Sequence, residues 1–89
     1  MTALLNTIME AVRREYQFAA NKFGNFNSQH EGYAILKEEV DELWDAVKDN
    51  DQELAVEEAV QVAAMAMRFV IDSGIPESEF LAIMAARYA

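Results

Sequence analysis

"DQELAVEEAVQVAAMAMRFVID", residues 51–72, is the stretch on which the fold turns. At about 100° per residue, Leu54, Val62, Met65 and Phe69 fall in one stripe, while Val56, Val60, Ala63, Met67 and Val70 form a second stripe opposite. A helix that is apolar almost all round is covered on both sides. The rest of the chain must therefore pack around this segment, with help from a second copy. Glu58 and Gln61 lie inside the first stripe. An ionised Glu in such a place carries a cost of several kcal/mol unless it is paired or holds a metal.

The ends of this segment follow from local chemistry. Asn50 with Glu53 three residues on is a capping pattern, and Gly74 followed by Ile75 and Pro76 is a helix stop. Ser28 with Glu31 repeats the capping pattern, so a second helix is predicted from near Gln29 to about Lys48, with Tyr33, Leu36, Val40, Leu43, Trp44 and Val47 as its core stripe. A first helix over about 3–22 places Leu5, Ile8, Val12, Tyr16, Ala19 and Phe23 on one face, and a short helix starts near Glu77. The sequence contains no strand alternation, internal repeat or dividing linker. The expected fold is all-α, a single domain over residues 1–89 built as a bundle of about four helices. A domain this small buries only about 60% of its unfolded surface, so the bundle is expected to be completed by oligomerisation, as a homodimer or homotetramer with the second and third helices at the interface.

Composition narrows the function. Seven Lys and Arg against sixteen Asp and Glu give a net charge of −9, which opposes binding to nucleic acid or an anionic membrane. No run of 18 apolar residues predicts a membrane span, and "MTALLNTIMEAVRREY" has no basic leader before its apolar residues. A soluble, cytoplasmic protein is expected. With no cysteine, metal ligands are restricted to carboxylate, amide and imidazole groups, which suit hard ions.

Ten of the sixteen acidic residues lie between Glu38 and Glu58. In "KEEVDELWDA", residues 37–46, Glu38, Glu39 and Glu42 fall within a 100° arc, and Glu39 borders the core stripe. Glu38, Asp41 and Asp45 run away from the stripe and read as a solvated face. Glu39 and Glu42, three residues apart, repel unless they share a proton or a cation. Glu58 on the facing helix needs a partner too. Arg68 or Lys37 can pair with it, or the three carboxylates and the Gln61 amide can together form an oxygen-rich site for Mg²⁺ or Mn²⁺.

Glu38-Glu39-x-x-Glu42 followed by Glu58-x-x-Gln61 resembles the E-E-x-x-E and E-x-x-D signature of the MazG-like all-α nucleoside triphosphate pyrophosphohydrolases. The resemblance covers about residues 1–74. It implies that Glu39, Glu42, Glu58 and Gln61 hold Mg²⁺, and that a nucleoside triphosphate is split to monophosphate and pyrophosphate with Glu39 or Glu42 as general base. Gln61 stands where the family has Asp, which leaves the cluster one negative charge short. Two alternatives share the bundle: a phosphoribosyl-ATP pyrophosphohydrolase-like enzyme, and a non-catalytic binding or assembly protein that has lost turnover. Lys22, His30, Lys37 and Arg68 are the candidate phosphate contacts, His30 through its place near a predicted helix N-terminus. Phe23, Phe26 and Trp44 are core residues or contacts to a base. Gln61→Leu is expected to favour the metal-free fold, because it removes a buried polar group while fitting the apolar stripe.

Overall fold

The computed structural model describes residues 2–89. It contains four helices, α1 (Thr2–Phe23), α2 (Gln29–Lys48), α3 (Gln52–Asp72) and α4 (Glu77–Arg87), and no strand among the described residues. The class is all-α. None of the helices is long and apolar enough to cross a membrane. The two-sided helix is the centre of the fold: α1 and α2 each pack on α3 and do not pack on one another. Helix α4 lies along none of the other three, and its Phe80 joins Met67, Val70 and Ile75 in lining an apolar groove of about 550 Å³.

The core is thin and built from small side chains. Val12 and Ala19 of α1 meet Ala64 and Met65 of α3, with Tyr16, Ile35, Leu36, Val60 and Met67 packed round them. Among the described residues no large side chain is fully buried. Gly32 sits against an aromatic pair, since a Cβ there would approach carbons of Phe26 and Phe69 to 3.0 Å. This contact lets the start of α2 come close to α3.

The helix ends show what local sequence controls. Ser28 caps α2, its Oγ accepting from the Glu31 N–H at 3.1 Å. The return half of the capping box is shifted by one residue, because the Glu31 carboxylate accepts from the backbone N–H and the side-chain amide of Asn27. The cap of α3 is Asp51, which accepts from the Leu54 N–H at 3.1 Å, and not Asn50. Asn50 has φ 56°. A connection this short needs a left-handed residue to reverse the chain, and Asn tolerates that region better than most residues. Gly24 and Gly74 take the same region after α1 and α3.

The predicted core stripes are only partly buried. On α2, Leu36 and Leu43 are half-buried, but Tyr33 is 61% exposed, Trp44 is 57% exposed, and Val40 and Val47 are also open. The better-covered side of α2 runs through Gly32, Ile35, Glu39 and Ala46, a rotation of about one residue from the predicted face. Leu5, Ile8 and Phe23 of α1 are likewise exposed. Two neighbours cover only part of α3, so Leu54, Val56 and Val70 remain in contact with solvent.

Candidate functional site

Helices α2 and α3 form an antiparallel hairpin with a three-residue connection. Glu42 lies six residues before the end of α2, and Glu58 lies six residues after the start of α3. At 1.5 Å of rise per residue both sit about 9 Å from the turn, so they face each other at one level, with Glu39 one turn further along α2. One carboxylate oxygen from each of Glu39, Glu42 and Glu58 lies within 4.8 Å of the others. Oε2 of Glu58 is shut off from solvent, and among the described residues only the carboxyls of Glu39 and Glu42, when one is protonated, are placed to bond with that side chain.

Neither ion pair expected for Glu58 forms. Lys37 bonds to Asp41 at 3.2 Å on the exposed side of α2, and Arg68 reaches the Gly24 carbonyl and the Met65 sulfur. The three carboxylates therefore face one another without a cation. Burial, and then the charges of Glu42 and Glu58, push the Glu39 carboxyl up to about 7. Burial, followed by the charge of Glu42, also raises Glu58. A proton shared in the cluster relieves the repulsion, and a divalent cation relieves it more fully. The donor set fits Mg²⁺ or Mn²⁺: octahedral bonds of about 2.0–2.1 Å place ligand oxygens roughly 3–4 Å apart, a spacing that small side-chain rotations reach from the one observed. The orphaned Glu58 oxygen is the atom such an ion would satisfy.

Beside the cluster, between α1 and α2 and floored by α3, is a cleft of about 570 Å³. Glu39 lines it. Glu38 lines it as well and is exposed, in keeping with the solvated position its helix direction predicts. Phe18, Phe26, Ile35 and Met65 give it an apolar wall. Lys22 stands at its side with the ammonium over the rings of Phe18 and Phe23, at 5.7 and 5.2 Å. Of the other predicted phosphate contacts, Arg68 lines the cleft, whereas His30 and Lys37 do not. His30 is exposed in the first turn of α2, and Lys37 is turned away towards Asp41. Trp44 is exposed and does not line the cleft.

Gln61 also lines the cleft, and its environment differs from expectation. Its Nε2 donates to Oε1 of Glu15 at 2.6 Å. A carboxylate only accepts, so the bond fixes the amide with nitrogen towards α1 and leaves Oε1 as the free end. Gln61 is thus a partnered polar group, and because Gln61→Leu would remove this charge-assisted bond, the expected effect on the metal-free fold becomes a loss of stability. Glu15 was not predicted as a site residue. The available signal was its position: Val12, Glu15 and Ala19 stand at i, i+3 and i+7 on α1, so Glu15 is in step with the two buried residues of that helix.

Neither a scan against protein-family models nor searches of curated proteins and solved structures gives a match to this chain.

Proposed function

We propose that the chain is a Mg²⁺-dependent nucleoside triphosphate pyrophosphohydrolase of the MazG-like type, releasing a nucleoside monophosphate and pyrophosphate. The observation that carries this reading is the trio of carboxylates beside the cleft, with a buried Glu58 oxygen that no basic or amide group satisfies. Glu39, Glu42 and Glu58 hold the ion, and Gln61 offers its free amide oxygen as a neutral fourth ligand. When bound, Mg²⁺ or Mn²⁺ supplies charge neutralisation for the triphosphate and for the charge that develops on it during hydrolysis.

The remaining roles fall to the chain itself. Glu39 is the triad member that also lines the cleft, which gives it the position to take a proton from the attacking water; Glu42 is exposed and off the cleft. Because Glu39 is partly protonated near neutral pH in the metal-free protein, ion binding releases a proton and strengthens as pH rises. Phe18 and Phe26 offer faces on which a base can stack.

The working unit is a homodimer or homotetramer. The open stripe Tyr33, Val40, Trp44 and Val47 on α2, together with a core that buries no large side chain completely, supports this assembly.

The test is pyrophosphate release from a panel of ribo- and deoxyribonucleoside triphosphates, with and without Mg²⁺. Turnover that requires the metal and is lost in Glu39→Gln and Glu58→Gln is expected. A purified chain that releases no pyrophosphate from any nucleotide with either ion would sink the reading.

A further inference from the structure

Among the described residues Arg68 is the one charged side chain that is buried, at 3% exposure. One terminal nitrogen donates to the Gly24 carbonyl at 2.9 Å, the other to the Met65 sulfur at 3.4 Å, and the Phe26 ring covers a face of the guanidinium at 4.2 Å. Its Nε is buried with no hydrogen-bond partner among the described residues. The ion pairs among the described residues join Glu10 to Arg13 and Arg14, Lys37 to Asp41, and Lys48 to Asp45, so none involves Arg68. Asp72, one turn further along α3, bonds to the Phe26 N–H instead.

A guanidinium stays protonated in a protein, and a buried charge without a counter-charge is costly. In a chain with sixteen carboxylates, this cation is held by neutral acceptors only. The Gly24 carbonyl stands just past the C-terminus of α1, whose negative pole offsets part of the charge, and Glu15, Glu31, Glu38 and Glu39 line the same cleft, yet no carboxylate pairs with the guanidinium.

Position supplies the second part. Glu58, Gln61, Met65 and Arg68 follow one another at steps of three, four and three, so they share a face of α3. The rise from Glu58 to Arg68 is about 15 Å, and the Arg68 side chain leans back towards the cluster, as its Met65 contact shows. The two buried orphan atoms, Oε2 of Glu58 and Nε of Arg68, therefore stand at opposite ends of one face with opposite charge. A ligand that satisfies both brings a cation to one end and an anion to the other.

We propose that Arg68 is an anion-binding site of the cleft and takes the phosphate of a metal-bound polyphosphate that lies farthest from the metal, with Lys22 as a second cation. The proposal rests on the pyrophosphohydrolase reading and adds the direction in which the polyphosphate lies. It also makes binding depend on polyphosphate length, because orthophosphate cannot reach both ends.

The probe is inorganic tripolyphosphate with Mg²⁺, titrated into the wild-type chain carrying nitrogen-labelled arginine. The Nε–H resonance of Arg68 is expected to shift while those of Arg13, Arg14 and Arg87 stay, and orthophosphate should leave all of them unmoved. By calorimetry Arg68→Met should weaken tripolyphosphate binding roughly tenfold or more, with Arg68→Lys recovering part of the loss. Both variants should keep the Mg²⁺-induced rise in melting temperature. A resonance that does not move at saturating tripolyphosphate overturns the proposal, as does wild-type affinity in a folded Arg68→Met variant. If that variant fails to fold, the wild-type resonance decides. Nucleotide turnover is read separately: an Arg68 response without turnover refutes only the hydrolase reading, and turnover with an indifferent Arg68 refutes only this proposal.

Discussion

Replacing Glu39 with Gln should make the metal-free protein more stable at pH 8 and remove much of the pH dependence of its stability. In the folded chain the Glu39 carboxyl is raised from 4.5 to about 7, first by burial and then by the charges of Glu42 and Glu58. The folded state therefore holds this proton more tightly than the unfolded state. Below about 4.5 both states are protonated and the full stability is present. Between there and about 7 stability falls with rising pH, and above 7 the loss is complete. At 1.36 kcal/mol per pH unit the ceiling is ~3 kcal/mol. Glu39 is only half-buried, so screening by water and salt reduces this to about 1–2 kcal/mol. In a domain of this size that corresponds to a rise of roughly 5–15 °C in melting temperature for Glu39→Gln at pH 8, and little change near pH 4.5. The assay is a set of thermal melts followed by circular dichroism, with chelator present and at fixed protein concentration. Parallel pH curves for the two proteins, or a variant less stable than wild type at pH 8, would refute the reasoning.

Three further outcomes are expected. Mg²⁺ or Mn²⁺ should raise the wild-type melting temperature by mass action, and Glu58→Gln should lose most of that rise; an undiminished rise in the variant would move the ion elsewhere. Gln61→Leu should cost the metal-free protein about 1–2 kcal/mol by removing the donor to Glu15, and Gln61→Asp should cost more while tightening Mg²⁺ in a calorimetric titration. Adding Glu15→Gln to Gln61→Asp should recover stability by exchanging donor and acceptor, and no recovery would mean that the pair is not coupled. Light scattering should give at least a dimer mass at micromolar concentration, and Trp44→Asp should lower it to that of the monomer; a monomeric wild-type mass would contradict the proposed assembly.

Helix number and most helix ends were legible because they depend on single residues with local effects, such as Ser28 and Gly74. Asn50 and Asp51 both favour helix caps, and only the requirement for a left-handed residue in the turn separates them. The carboxylate trio was legible as well, since an i, i+3 pair on α2 and a lone Glu in an apolar stripe of α3 become neighbours once the two helices form a hairpin. The buried face of α2 was not. Hydropathy gives weight to large residues such as Tyr33 and Trp44, whereas close helix approach depends on small ones such as Gly32 and Ala46. The Glu15–Gln61 bond and the burial of Arg68 were beyond reach for another reason. Both join groups more than 40 residues apart, and their geometry depends on how α1 docks onto α3.

The three-residue turn at Asn50 also sets the order in which the chain can assemble. Hairpin contacts between α2 and α3 close a short loop and form quickly, whereas α1 must bridge a longer separation to reach Gln61 and Met65. Glu39, Glu42 and Glu58 all belong to the hairpin, so their mutual repulsion is met in its first closing step and opposes that step. Whatever neutralises them, a proton at low pH or a divalent ion at neutral pH, is expected to ease the closing of the hairpin, so the speed of folding should depend on the same three side chains that would hold the ion.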